Sequence, residues 1–234
     1  MDLVLIFILG LVFGSFVNVL VWRLPRGESI GGRSRCPRCK KQISCFDNIP
    51  LFSYLILKGR CRDCKEKISL RYPLIELAVA IGFLLIGWDL PLLALFVISI
   101  TVFAIDLKHQ IIPDSLVFFG LALYTIYDIQ YTNLLAGFLS ASTLLLIHLA
   151  TRGRGMGLGD VKFAVLGGIV VGLKNSFNWL FIAFLTGGVV ALILIMAKKA
   201  GLKSKIAFGP FLVIALWYLI FLQKMNLKVW PSFF

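Results

Sequence analysis

Residues 3–21 read LVLIFILGLVFGSFVNVLV, a run without a single charged side chain. A helix needs about 20 mostly apolar residues to cross a bilayer, so this run predicts a transmembrane helix. The rest of the chain continues the pattern: 59% of its 234 residues are hydrophobic and only 15% are charged. These values exclude an ordinary soluble enzyme and a disordered chain, and the apolar runs argue against a conventional nucleic-acid binder.

Further apolar runs predict an all-α polytopic membrane protein with about eight transmembrane helices. We place the spans at 3–21, 74–88, 90–105, 115–129, 133–150, 161–173, 177–197 and 206–222. The first run has no basic segment before it and is longer than the apolar region of a signal peptide. We therefore expect it to be a retained helix.

The net charge of +13 is interpreted as a topology signal. With eight alternating spans, 21 of the 24 Lys and Arg residues fall on one side of the membrane, from the 22–73 loop to Lys198, Lys199, Lys203 and Lys205. The other side receives Lys174, Lys224 and Lys228. Because basic loops remain in the cytoplasm, we predict a cytoplasmic 22–73 loop and external termini. We expect the charge of this loop to bind anionic lipid headgroups.

The 22–73 loop contains two Cys-x-x-Cys pairs, Cys36/Cys39 and Cys61/Cys64. Each pair can bind one metal ion from a tight turn, and four thiolates complete a closed tetrahedral shell, which predicts one structural zinc per chain. Free thiols and a redox Cys-x-x-Cys are the alternatives. Cys45 is the odd fifth cysteine, and we interpret it as a small packed hydrophobic residue.

Acidic residues are scarce, and several occur at the predicted cytoplasmic ends of spans. Asp106 ends the third span, Asp114 follows Pro113 at the start of the fourth, and Asp160 follows a glycine-rich stretch at the start of the sixth. Glu76 lies near the start of the second. Asp114 and Asp160 suit helix capping, whereas Asp106 stands where the helix dipole disfavours a carboxylate, unless Lys108 pairs with it.

Two carboxylates brought together can share a proton, so that one activates a water molecule and the other protonates a carbonyl. This is the chemistry of an aspartic protease. His109 and His148 are the only histidines, and His148 is expected to be packed or hydrogen-bonded inside the fifth span. The glycine-rich stretch lacks the Gly-Lys-Ser/Thr ending of a P-loop. The alternatives are a proton- or cation-coupled transporter, and a membrane-anchored zinc-ribbon adaptor without chemistry.

The chain resembles the bacterial type IV prepilin peptidases, which are membrane aspartic proteases. The motifs occur in family order along the whole chain: Gly14-Ser15-Phe16-Val17-Asn18-Val19, Arg23-Leu24-Pro25, the four cysteines around Asp47-Asn48-Ile49-Pro50-Leu51, Arg71-Tyr72-Pro73, Ile112-Pro113-Asp114, the GxGD box Gly157-Leu158-Gly159-Asp160, and Phe208-Gly209-Pro210-Phe211.

This resemblance implies that Asp106 and Asp160 are the catalytic pair and that Gly157 and Gly159 belong to the active-site loop. The implied substrates are type IV prepilins or pseudopilins, cleaved after a glycine at the cytoplasmic face of the bacterial inner membrane. It also implies N-methylation of the new amino terminus with S-adenosylmethionine, an activity associated with residues 1–72. Residues 73–234 would then form the peptidase core. The residues that bind the methyl donor do not follow from the motifs.

Overall fold

The computed structural model describes residues 2–127, 131–199, 201 and 204–225. Its helices are α1 (Asp2–Arg23), α2 (Phe52–Ile56), α3 (Arg71–Ile86), α4 (Leu90–His109), α5 (Asp114–Tyr127), α6 (Tyr131–Ala150), α7 (Leu158–Val171), α8 (Leu173–Met196) and α9 (Gly209–Lys224). Each predicted span corresponds to one of the eight described helices that have at least 14 residues, which confirms the all-α class. The sequence did not reveal α2. Residues 128 and 129 of the fourth predicted span, and Lys203 and Lys228 of the charge count, lie outside the described residues.

Among the described residues, four helices are long and apolar enough to cross a membrane: α1 with the turn after it, α4, α6 and α8. Helices α5 and α9 are apolar but shorter. Large apolar side chains such as Phe118, Leu146 and Phe181 lie exposed on the helix surfaces. Lipid tails cover such a surface favourably, which is the arrangement expected of a membrane protein.

The first compact unit spans Met1–Thr101 and is built on the antiparallel pair α1 and α3. A Cβ atom at Gly10 would lie 2.6 Å from the Cα of Ala80, and one at Gly14 would lie 2.6 Å from the Cα of Glu76. The two backbones are therefore in direct contact. Small residues four apart permit this close approach, which provides van der Waals attraction where lipid removes the hydrophobic driving force.

The second compact unit spans Val102–Phe234 and is centred on α7, which packs against α5, α6, α8 and α9. At the α6–α7 contact, a Cβ atom on Gly168 would lie 2.7 Å from the carbonyl oxygen of Ala136 and 2.8 Å from the Cα of Gly137. Helices α8 and α9 are joined by a buried hydrogen bond, in which Trp179 Nε1 donates to the Leu212 carbonyl at 2.9 Å. This packing holds the start of α7 in a defined position.

We predict that Gly168→Ala lowers stability by about 1–3 kcal/mol, because the new methyl group would collide with backbone that cannot rotate away. The matched control is Gly188→Ala on α8, since a Cβ atom at Gly188 has no neighbour within 4 Å. The control should melt at the wild-type temperature or slightly higher, because alanine favours the helix over glycine. Thermal unfolding of both variants in detergent makes the comparison, and equal melting temperatures would contradict the close helix contact.

Candidate active site and metal centre

Asp106 is buried at the carboxyl-terminal end of α4, with 4% of its surface exposed. Its Oδ2 accepts a hydrogen bond of 2.9 Å from the backbone N–H of Gly209, the first residue of α9. The carboxylate is therefore at the unfavourable end of its own helix but at the favourable, positive end of another. No ion pair with Lys108 is found in the part of the chain that the structure describes, so that alternative is wrong.

Asp160 is buried in the first turn of α7, with 8% of its surface exposed. Its Oδ2 accepts a hydrogen bond of 3.1 Å from the Gly157 N–H, so the predicted helix-capping role is confirmed. The carboxylates of Asp106 and Asp160 are close enough to interact electrostatically. The structure thus places two buried acids at one position in the second unit, and each has one oxygen bound to a glycine amide.

Ile112 packs between the backbone segments that carry these two amides. A Cβ atom on Gly159 would lie 3.1 Å from Ile112 Cβ, and one on Gly209 would lie 3.3 Å from Ile112 Cδ1. A Cβ atom on Gly209 would also lie 2.7 Å from Asp106 Oδ2. Glycine at position 209 is therefore required for the carboxylate to approach the backbone. The sequence showed this residue only as part of the motif Phe208-Gly209-Pro210-Phe211, without a role in positioning Asp106.

The glycine-rich loop before α7 is held by His148. The Nδ1 atom of His148 is 2.7 Å from the Met156 carbonyl oxygen, and Gly153 packs against the imidazole ring. Gly153 has a φ of 74°, a conformation that side chains disfavour. The expected hydrogen bonding of His148 is confirmed, and its consequence is that the loop leading to Asp160 is anchored to α6.

Two other acidic residues have different roles from the buried pair. Asp114 is exposed at the start of α5, and both of its carboxylate oxygens contact Lys162 Nζ at 2.7 and 2.8 Å. Its carboxylate therefore forms an ion pair with α7 where the sequence predicted a helix cap. Glu76 belongs to the first unit, where its Oε2 accepts a hydrogen bond of 2.9 Å from the Leu51 N–H.

The cysteine loop folds as two similar turns, each formed by a Cys-x-x-Cys pair and the lysine after it. Cys36 N donates to the Lys41 carbonyl at 3.0 Å, and Cys61 N donates to the Glu66 carbonyl at 2.8 Å. Lys40 and Lys65 occupy equivalent positions with φ values of 61° and 58°. The same turn is thus built twice, twenty-five residues apart, and each turn directs two sulfur atoms to a common point.

The four sulfur atoms fit a tetrahedral zinc ion. The Sγ atoms of Cys36, Cys39, Cys61 and Cys64 all lie within 4.8 Å of one another, and those of Cys36 and Cys64 are 3.8 Å apart. Zn–S bonds of about 2.3 Å place neighbouring sulfurs of a tetrahedron about 3.8 Å apart. A closed shell of four thiolates leaves no position for substrate, so the zinc that these cysteines would hold is structural.

The thiols of this cluster titrate differently. Burial opposes ionisation of Cys36, but the backbone N–H groups of Cys39 and Arg38, together with the side chains of Cys39 and Cys61, outweigh it and lower the pKa of this thiol to about 7. For Cys64 the Glu66 N–H favours the thiolate, but desolvation and the neighbouring sulfurs prevail and raise the pKa to about 11. A bound cation would favour the thiolate form of all four cysteines, because its positive charge stabilises each thiolate.

Ion pairs connect the two cysteine turns to each other and to the segment between them. Lys41 is 2.9 Å from Asp63, and the guanidinium of Arg62 forms two hydrogen bonds with Asp47 at 2.6 and 2.8 Å. The Arg62 hydrogen bonds lower the pKa of Asp47. Exposed pairs of this kind contribute little to stability, so a metal ion bound by the four cysteines would be the main stabilising element.

Cys45 does not belong to the cluster, and its predicted packing is wrong. Its side chain is exposed, and its Sγ accepts a hydrogen bond of 3.1 Å from the guanidinium of Arg33. The neighbouring Phe46 is exposed as well, so this part of the loop has no apolar core for a thiol to enter.

Comparison with known proteins places both units in one family. Residues 8–90 match the bacterial Peptidase A24 N-terminal domain, and residues 92–192 match the type IV leader peptidase family. The type 4 prepilin-like proteins leader peptide-processing enzyme of Escherichia coli O78:H11 is 36% identical and covers 92% of both chains. The prepilin leader peptidase/N-methyltransferase of Pseudomonas aeruginosa is 34% identical over 90% of this chain and 87% of that protein. Its namesake in Neisseria gonorrhoeae is 32% identical over 96% and 91%. No solved structure matches.

We predict that Cys36→Ser and Cys64→Ser each reduce the zinc content of the purified protein from about one ion per chain to well below half, because a tetrahedral shell loses a ligand. Cys45→Ser is the matched control and should retain the full zinc content, since its sulfur lies outside the cluster. Elemental analysis by mass spectrometry measures the metal. Equal zinc loss in all three variants, or none in the wild type, would contradict the site.

Proposed function

The chain belongs to the type IV leader peptidase family, and we propose that Asp106 and Asp160 are its catalytic pair. The observation that carries this proposal is the meeting of two buried carboxylates in the second unit, each with one oxygen bound to a glycine amide. In both residues the second oxygen has no protein partner among the described residues, so it is free to bind water or substrate.

The reaction requires one proton shared between the two carboxylates. The ionised carboxylate accepts a proton from a water molecule as the water oxygen attacks the scissile carbonyl carbon. The protonated carboxyl donates its proton to the carbonyl oxygen, and the tetrahedral intermediate then releases the amine, which takes up a proton. The glycine amides keep each carboxylate oriented throughout, because they bind the oxygen that does not react.

The substrates are prepilins, as the names of the relatives indicate, and pseudopilins belong to the same proposal. We place the cut after a glycine, next to the apolar helix of the substrate, at the cytoplasmic face of the bacterial inner membrane. The distribution of Lys and Arg supports this orientation, because most of them fall on the side of the cysteine loop. Both aspartates stand at helix ends, where a substrate helix can present its terminus without deep unwinding.

The second activity is N-methylation of the new amino terminus with S-adenosylmethionine, for which the relatives are also named. We assign it to residues 1–72, the first helix and the cysteine loop, and proteolysis to residues 73–234. The transporter alternative loses its support, since a proton relay would place its acids near mid-membrane. The adaptor alternative leaves the buried acid pair without a role.

We predict that Asp106→Asn and Asp160→Asn each slow cleavage of a prepilin in detergent by at least about 100-fold, because neither amide can accept or donate the required proton. Asp89→Asn is the matched control: Asp89 is exposed at the opposite end of α4, where its Oδ1 accepts a hydrogen bond from the Leu92 N–H at 3.1 Å. Asparagine caps helices equally well, so the control should cleave at the wild-type rate. Full activity of either catalytic variant would refute the pair.

We predict that Gly209→Ala lowers kcat for cleavage by about 10- to 100-fold, because the methyl group displaces the Asp106 carboxylate from its productive position. Gly188→Ala again serves as the control and should cleave normally. Initial rates over a range of prepilin concentrations separate kcat from KM. An unchanged kcat in Gly209→Ala would show that the α9 amide does not position Asp106.

A further inference from the structure

The first unit contains a cavity of about 760 Å³ between α1, the cysteine loop and α3. It is lined by Ser15, Asn18 and Trp22 of α1, by Tyr72 and Glu76 of α3, and by loop residues that include Cys36 and Cys61. Sites for small molecules and cofactors enclose about 300–1,000 Å³. The catalytic aspartates belong to the second unit, so the proposed peptidase mechanism does not use this cavity.

Six basic residues line this cavity, so acidic and basic residues nearly balance there, although the chain as a whole is strongly basic. Five of its 11 Asp and Glu residues are in the lining: Glu28, Asp47, Asp63, Glu66 and Glu76. Three of the five are neutralised by cations of the loop, because Asp47 pairs with Arg62, Asp63 with Lys41 and Glu66 with Arg38. Glu28 is exposed to solvent.

Glu76 differs from the other four because it is buried without a cation. Only 8% of its surface is exposed, and no ion pair reaches it within the described ranges. The Leu51 N–H occupies Oε2, and Oε1 has no protein partner among the same residues. A buried carboxylate is costly unless it is paired. A cationic ligand in this cavity would therefore be stabilised by pairing with the Glu76 carboxylate.

The other lining residues suit a ligand that carries a cation beside a planar base. Tyr54 and Tyr72 supply aromatic rings, on which a base can stack. Asn18 is 8% exposed, and its Nδ2 donates to the Tyr72 carbonyl at 3.1 Å. Its amide oxygen therefore remains as an acceptor in the lining. Arg35 and Lys67 also line the cavity and can bind a carboxylate.

We propose that this cavity binds S-adenosylmethionine and that the Glu76 carboxylate holds the positive charge of the methyl donor. The assignment rests on the N-methylation in the proposed function and gives that activity a site, which extends past residue 72 into the start of α3. Glu76 is a positioning residue that stabilises the charged donor. The deprotonated α-amino nitrogen of the substrate attacks the methyl carbon with its lone pair, and the methyl–sulfur bond electrons pass to sulfur. The secondary amine then loses its extra proton to water.

The test compares binding of S-adenosylmethionine, a sulfonium cation, with S-adenosylhomocysteine, its uncharged thioether counterpart, to the full chain in detergent. Glu76→Gln keeps the shape and the acceptor for the Leu51 N–H but removes the charge. We expect S-adenosylmethionine to bind at least about tenfold more weakly, because the substitution removes the charge–charge attraction between the carboxylate and the sulfonium. S-adenosylhomocysteine should change by less than about threefold, and Glu76→Asp, which retains the charge, should restore part of the preference for the cation. Equilibrium dialysis measures both ligands.

The matched control is Asp89→Asn, which removes an exposed charge of the first unit outside this lining and should bind both ligands like the wild type. Mass spectrometry of a processed prepilin reads cleavage and methylation separately, and Glu76→Gln should still cleave but methylate at least about tenfold more slowly. The assignment would be overturned if Glu76→Gln bound S-adenosylmethionine as well as the wild type does, or if its binding of both ligands were weakened equally. Parallel loss of cleavage and zinc in this variant would overturn it as well. Absence of prepilin cleavage by the wild type would instead contradict the proposed function, since the dialysis result does not depend on it.

Discussion

Two hydrogen bonds from glycine amides to buried carboxylates are the constraint on which the second unit depends. A carboxylate inside an apolar bundle must have partners, and backbone N–H groups at a helix start provide both a donor and the positive end of a dipole. Asp160 uses the start of its own helix, whereas Asp106 uses the start of α9. The bundle around α7 keeps these two helix starts in place, and the contacts of Gly168 allow that bundle to close.

The first unit depends on a different constraint, because its polar loop of about fifty residues has few apolar side chains and must still be ordered. Two copies of one turn bring four sulfurs together, and a zinc ion bound there would supply the folding free energy that the loop's small core cannot. The ion pairs across the turns are exposed and contribute little to the stability of the loop. Their main effect is to favour this orientation of the two turns relative to each other. The cavity beside this loop exists only when the turns are formed, because Cys36 and Cys61 are part of its lining.

The two units also use acidic residues in opposite ways. In the second unit, two carboxylates lie close enough to repel each other, which favours a shared proton and therefore acid–base chemistry. In the first unit, the Glu76 carboxylate is buried in a cavity without a cation beside it. Most of the other acidic residues that line this cavity are paired with cations. A basic chain can thus contain buried carboxylates in both units, because most of its positive charge resides in loops.

The sequence by itself determined the membrane class, eight of the nine described helices and the four cysteines of the cluster, because apolar run length and Cys-x-x-Cys spacing are local properties. It also singled out Asp106 and Asp160 by their place at span ends. Local signals could not show that Cys45 is exposed or that Asp114 pairs with Lys162, since both depend on the neighbours that folding brings. The same holds for the amides of Gly209 and Leu51, which lie 103 and 25 residues from the carboxylates they bind. Only the tertiary structure decides these contacts, because a backbone N–H carries no side-chain identity that a sequence could reveal.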